Sequence, residues 1–221
     1  RKLPWREDPT PYHVWISEIM LQQTRVETVK FYYERFINQL PDVEALSKAE
    51  EETLLKLWEG LGYYNRVRNM QKAAVQIMEE YGGRIPDSYA ELLKLKGIGN
   101  YTAGAIASIA YGRREPAVDG NVLRVIMRFL ADESDISKQS VKASVETMLR
   151  KRMPERRSGD FNQALMELGA VVCIPNGEPL CMECPLAELC AARRQGNVSR
   201  IPVKSAKKPR TIEKKTVFLL F

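Results

Sequence analysis

The sequence predicts an all-α protein, and three observations carry that prediction. Apolar residues recur at helical spacing from Pro11 to Arg194, nothing before the C-terminal tail alternates at period two, and short breakers part the periodic stretches. Those breakers are Pro41-Asp42, Gly60-Leu61-Gly62, Gly82-Gly83 and Pro86-Asp87. The spacing predicts helices from Pro11 to Gln23, Val26 to Asn38, Val43 to Ala49, Glu51 to Leu57 and Val67 to Tyr81. Further on it predicts Tyr89 to Leu95, Tyr101 to Ala110, Val122 to Leu130, Ser137 to Lys151 and Asp160 to Ala170. No internal repeat is visible.

A chain of 221 residues can bury a sizeable core in one or two domains. No apolar run approaches the ~20 residues of a membrane span, and no signal-peptide pattern opens the chain. The expectation is a soluble, intracellular protein without a membrane partner. The net charge of +6 is not spread evenly, since between Ser199 and Lys215 seven basic residues face Glu213 alone. The remainder is neutral, 27 basic against 27 acidic, so bulk charge gives the body no nucleic-acid signal. Any such case rests on local groups, for which Arg150-Lys151-Arg152, Arg156-Arg157 and Arg193-Arg194 are the candidates, the competing reading of each being an ordinary solvated face. Ile201 to Arg210, rich in Pro and Lys, reads as a linker.

A single histidine, His13, leaves little room for Ser-His-Asp or Cys-His catalysis or for a polyhistidine metal site. No Walker A loop is present, and Gly97-x-Gly99 lacks both the third glycine and the preceding strand of a dinucleotide fingerprint.

The first predicted helix carries an acid on an apolar face. Glu18 has Val14 and Trp15 behind it at helical spacing and Leu21 and Gln22 ahead. Desolvation there raises a carboxyl pKa and keeps the group protonated near neutrality, which suits a general acid. The competing reading is an edge glutamate whose side chain escapes to solvent.

Between Leu92 and Gly112 the pattern is helix, tight hairpin, helix, with Gly97-Ile98-Gly99 at the turn. Glycines allow positive φ and close backbone approach, and the outgoing helix offers unpaired N–H groups at the positive end of its dipole. Such a place accepts a phosphate, with Gly97, Gly99, Tyr101 and Thr102 as candidates. A plain C-cap followed by a new helix is the alternative. Soon after comes Asp119 at the mouth of the helix from Val122 to Leu130, where it can simply N-cap. Two carboxylates in unlike surroundings, Glu18 apolar and Asp119 polar, also form the pattern that breaks glycosidic bonds.

The four cysteines, Cys173, Cys181, Cys184 and Cys190, fall in one short stretch, where clustered thiolates hold zinc or an iron–sulfur cluster. A zinc ribbon shows two C-x-x-C knuckles; only Cys181-x-x-Cys184 is present.

Several of these motifs converge. Leu95-x-Gly97-x-Gly99-x-x-Thr102-Ala103 followed by Val118-Asp119 resembles the helix-hairpin-helix and aspartate of the endonuclease III superfamily of DNA glycosylases. Leu3-Pro4-Trp5-Arg6, Trp15-x-Ser17-Glu18-x-Met20-Leu21-Gln22-Gln23-Thr24-x-Val26 and Gly60-Leu61-Gly62-Tyr63-Tyr64-x-Arg66 resemble its adenine DNA glycosylase (MutY) branch. The resemblance implies a two-lobed fold, with a six-helix lobe over residues 10–112 and an iron–sulfur lobe from residues 1–9 and 113–195. Residues 196–221 would be a basic linker and, from Thr216, the start of a further domain, so the chain is expected to be a fragment.

It also implies a base-excision-repair enzyme that flips out and removes adenine mispaired with 8-oxoguanine or guanine in double-stranded DNA. The protein would act as a monomer, in the cytoplasm beside the nucleoid if bacterial. Glu18 would be the general acid at adenine N7 and Asp119 the group that stabilises or captures the sugar cation, supported by Tyr101 and Asn121. Arg6, Leu21 and Gln163 would line the adenine pocket, while Gln23, Thr24, Leu61 and Tyr63 would fill or probe the stack beside the opposite base. For Leu61 and Tyr63 the plainer reading is core packing.

The cysteines would hold a structural [4Fe–4S] cluster. The loop between the first two has seven residues, Ile174 to Leu180, where the family usually has six, and it contains no Lys or Arg. Its phosphate contact is therefore in question, with Arg193, Arg194 or backbone N–H groups as substitutes. Lyase members of the superfamily use a lysine at the position of Tyr101 to make a Schiff base. A phenol cannot, so the expectation is a monofunctional glycosylase, with Lys94 and Lys96 nearby as adventitious amines. The rival readings are a bifunctional glycosylase/lyase of the same fold and a non-catalytic DNA-binding module.

Overall fold

The computed structural model describes residues 1–205; the rest of the expected linker and the start of a further domain expected from Thr216 lie outside them. Among the described residues every regular element is helical. The order is α1 (Pro4–Glu7), α2 (Pro11–Leu21), α3 (Val26–Gln39), α4 (Val43–Lys48), α5 (Glu51–Trp58), α6 (Asn65–Tyr81), α7 (Tyr89–Leu92) and α8 (Asn100–Ala105). Then follow α9 (Gly120–Leu130), α10 (Gln139–Arg152), α11 (Ser158–Glu167) and α12 (Ala191–Arg194). None of these helices is long and apolar enough to cross a membrane.

Local chemistry sets most boundaries. Thr10 caps α2 by accepting from the His13 N–H at 3.2 Å, with Pro11 in the first helical position. Asp42 caps α4 through the Ala45 N–H at 2.8 Å, and Gly82 ends α6 at φ +59.

Three expectations are corrected. The helix from Tyr89 stops at Leu92 rather than Leu95, because the chain tightens into three-residue turns, Lys94 N–H to Glu91 O and Leu95 N–H to Leu92 O, as it enters the hairpin. The helices expected to end at Ala110 and Ala170 both widen into π turns, Ile106–Ala110 after α8 and Leu168–Val172 after α11. These turns lie where backbones press together: a Cβ on Gly159 would stand 2.7 Å from Ile109 Cα, and one on Gly169 2.6 Å from Asn121 Cβ. Helices α1 and α12 and the short turns among the cysteines had no periodic signal long enough to find.

The described residues form two cores. The first runs from Leu3 to Ala107 around fully buried Trp15, Phe36 and Trp58; the second runs from Val118 to Ile201 around α9. Residues 1–9, expected in the second lobe, divide between the two. Leu3 and Trp5 pack in the first core, while Arg1 and Arg6 reach Glu167 of α11 in the second. Residues 10–112 hold seven helical segments where the resemblance implies six, Tyr89–Leu92 being a single turn. The lobes meet where α11 packs on the π turn after α8, and the open cleft lies beside that seam.

Candidate active site

Helix α2 carries Glu18 into the cleft with only 6% of its surface exposed. The alternative in which the side chain escapes to water is excluded by that burial. Burial is the main cause that pushes its pKa up to about 7; a hydrogen bond from Tyr101 opposes it, the Asp119 charge adds to it and Arg6 subtracts. The Tyr101 hydroxyl, delivered by the first turn of α8, lies 2.5 Å from Glu18 Oε2. Burial and the neighbouring carboxylates hold the Tyr101 phenol well above its ordinary pKa, so it remains a neutral donor.

Asp119 sits at the N-terminus of α9 with both oxygens engaged. Oδ1 accepts from the Val122 N–H at 2.8 Å and Oδ2 from Asn121 Nδ2 at 2.7 Å. The N-cap and the polar surroundings expected for it are one and the same arrangement, and the helix dipole favours negative charge there. Asn121 is in turn held by Arg124, whose Nη2 donates to Asn121 Oδ1 at 2.8 Å and to Gly169 O at 2.7 Å while Nε donates to Cys173 O at 2.7 Å. Close packing aims the segment before Asp119, since a Cβ on Gly104 would overlap the Pro116 carbonyl. Buried Asn162 also clamps it, accepting from the Ala117 N–H at 3.1 Å and donating to Glu115 O at 2.9 Å.

Glu18 and Asp119 line one cavity of about 750 Å³ together with Arg6, Leu21, Gln23, Thr24, Tyr101, Asn121 and Gln163. Its volume lies in the range of pockets that enclose a small organic molecule. Sequence reasoning missed Arg1, Lys142, Met166 and Glu167, which share that lining. Glu167 had a legible signal, since it lies four residues after Gln163 and so on the same face of α11. It bridges Arg1 at 2.6 Å and Arg6 at 3.0 Å, fixing Arg6 at the rim.

Other expected residues stand elsewhere. Leu61 is buried in the first core, which is the packing reading, whereas Tyr63 is 65% exposed at φ +48, outside the cleft. In the hairpin only Gly97 takes positive φ, +81; Gly99 is at −103, so conformational freedom is needed once rather than twice. Thr102 is buried and the Tyr101 hydroxyl turns to Glu18, so a phosphate at this hairpin would meet main-chain N–H groups and neither side chain.

The four cysteines, each half-buried, face one small apolar-walled cavity with Val172, Leu180, Ala187 and Val198. Arg128 Nη1 donates to Cys173 Sγ at 3.3 Å. Among the described residues no three His, Cys, Asp or Glu side chains are arranged to hold a metal ion, although the four thiols share this cavity. That donor set fits a polynuclear iron–sulfur group. Arg193 is paired with Glu188 at 2.9 Å.

A helical two-lobed fold with a hairpin beside a cleft of two unlike carboxyls defines a helix-hairpin-helix glycosylase scaffold. The chain belongs to the HhH-GPD superfamily of base excision DNA repair proteins, whose family model matches residues 16–151. It is 38% identical over 220 residues to the adenine DNA glycosylase of Buchnera aphidicola subsp. Schizaphis graminum, covering 100% of this chain and 63% of that protein. With the adenine DNA glycosylase of Homo sapiens it shares 46% identity over 205 residues, covering 88% of this chain and 37% of the relative. The chain thus spans less than two thirds of the length of these relatives. The solved structure of a thermostable thymine-DNA glycosylase superposes with a TM-score of 0.78 at 29% identity, covering 88% of this chain and 89% of that one.

Proposed function

We propose that this chain is the catalytic part of an adenine DNA glycosylase, which extrudes adenine mispaired with 8-oxoguanine or guanine and hydrolyses its N-glycosidic bond. The observation that carries this reading is the placement of Glu18, poised near neutrality, and Asp119, capping a helix mouth, in one cleft. Glu18 in its protonated form delivers a proton to N7 of the departing adenine. Asp119 faces the sugar as the oxocarbenium develops and stabilises or captures it until water adds at C1′. Asn121 and the Val122 N–H of the helix N-terminus keep Asp119 aimed. Tyr101 holds the acid in place and offers no amine, so the product is an abasic site with an intact backbone.

Extrusion of the base requires a few kcal/mol, part of which an inserted aromatic recovers by stacking. Tyr63, exposed on its loop, is the side chain for that task, with Gln23 and Thr24 beside the opposite base. Cys173, Cys181, Cys184 and Cys190 would hold a [4Fe–4S] cluster that cross-links the C-terminal lobe, a structural contribution.

Single-turnover excision from duplexes carrying adenine opposite each base tests the reading. Cleavage confined to 8-oxoguanine and guanine partners is expected, and Glu18→Gln should abolish it while leaving duplex binding intact. Undiminished cleavage by Glu18→Gln would remove Glu18 from the mechanism. Ready borohydride trapping on abasic DNA would point to the lyase chemistry instead.

A further inference from the structure

The loop that carries Tyr63 is pinned at almost every carbonyl. Tyr32 donates its hydroxyl to Glu59 O at 2.8 Å, Arg35 Nη2 donates to Leu57 O at 2.7 Å, and Trp58 Nε1 donates to Gly62 O at 3.0 Å. Gly60 at φ +96, Gly62 at +67 and Tyr63 at +48 are all left-handed, and for tyrosine that conformation is strained by about 1 kcal/mol or more. A second left-handed non-glycine residue, Gln23 at +58, lies just past the end of α2. These two strained residues stand on chain segments about forty positions apart in sequence, and one side chain joins them.

That side chain is Arg66. Its Nη1 donates to the last carbonyls of α2 and its cap, Ile19 O at 3.0 Å, Met20 O at 3.2 Å and Gln22 O at 2.6 Å. Its Nη2 donates to Leu61 O at 2.9 Å and Gly62 O at 3.2 Å. The guanidinium carbon lies 5.2 Å from the Trp58 ring centre and 5.6 Å from that of Tyr63. Among the described residues no carboxylate pairs with it. Its donors go instead to the carbonyls of two turns, a fork geometry that a lysine ammonium does not reproduce.

We propose that Arg66 is a positioning residue that locks the Gln22–Thr24 turn and the Gly60–Tyr64 loop into one rigid unit for probing the base opposite the extruded nucleotide. This rests on the proposed function for the identity of that base, and on the geometry alone for the clasp. Arg66 does not itself line the cleft and makes no hydrogen bond to Glu18, meeting the cleft wall only through the Gln22 carbonyl, so its removal loosens the reading of the opposite base more than the chemistry at the sugar. A bare helix C-cap would instead lower stability and all rates together.

The experiment uses Arg66→Lys and Arg66→Gln, with Arg68→Gln as a neighbouring loss of charge. Excision at saturating enzyme is measured for adenine opposite 8-oxoguanine and opposite an abasic gap, where there is no base to probe. Both Arg66 variants should compress the ratio of those two rates by about tenfold, the equivalent of about 1.4 kcal/mol. The rate opposite the gap and the ratio in Arg68→Gln should stay within about threefold of wild type. Amide hydrogen exchange of the free protein should accelerate in residues 20–25 and 60–65 together. Parallel loss of both rates, full recovery by Arg66→Lys, or faster exchange in only one segment would each overturn the clasp. A wild-type chain that excises adenine from no duplex would overturn the proposed function and the base-probing role with it, whereas a joint exchange response would still support the clasp.

Discussion

The Tyr101 phenol and the Glu18 carboxyl, 83 positions apart, meet at 2.5 Å, so the outgoing helix of the hairpin and the buried acid of α2 form one hydrogen-bonded pair. A hairpin that can seat a phosphate is thereby tied to the acid proposed to protonate the leaving base. Backbone placement and acid placement are set by the same helix.

Because burial dominates the Glu18 pKa, excision should fall as pH rises through about 7, where the acid loses its proton. The folded value lies above the ordinary 4.5, so the folded protein holds the extra proton between pH 4.5 and 7, and stability declines as pH climbs through that window. Glu18→Gln, which cannot ionise, should be more stable than wild type at pH 8 by up to about 3 kcal/mol. Urea unfolding of both proteins at pH 5 and pH 8 checks this; an equal difference at the two pH values would contradict it.

Tyr101→Phe removes the hydrogen bond that favours ionised Glu18. The basic limb of the pH–rate profile should move to higher pH in this variant, even though loss of an aligned contact lowers the plateau by about tenfold. A profile that stays put or moves downward would separate the phenol from the acid.

Gly104 lies against the Pro116 carbonyl, three residues before Asp119. Gly104→Ala should push that segment away, destabilise the fold by about 1–3 kcal/mol and lower the plateau excision rate while leaving the pH limb set by Glu18 in place. Thermal unfolding and single-turnover rates measure the two effects.

Cys184→Ser removes one of the four thiols that face the C-terminal cavity. Purified wild type should carry about four irons per chain with matching acid-labile sulfide, and the variant should lose both along with the compactness of residues 173–190. Stoichiometric zinc in place of iron would overturn the cluster assignment.

Much of the outcome was legible in the chain itself. Helical class, most boundaries and the apolar flank of Glu18 follow from spacing and side-chain chemistry acting over a turn or two. The hairpin showed in its glycines, although only Gly97 proved to need one for φ. Leu61 and Tyr63 were less readable: one is buried in the first core and the other turns to solvent, which the loop sequence by itself does not distinguish.

Only the tertiary structure decided what depends on contacts between distant segments. The junction of Glu18 with Tyr101, the link from Asp119 through Asn121 and Arg124 to Cys173, the Arg1–Glu167–Arg6 bridge and the Arg66 clasp each join residues whose separation in sequence carries no periodic signal. Local propensity sets the helices because a helix is built from neighbours. The cleft is built from helix ends brought together by core packing, and the desolvation that shifts Glu18 exists only once that packing is complete.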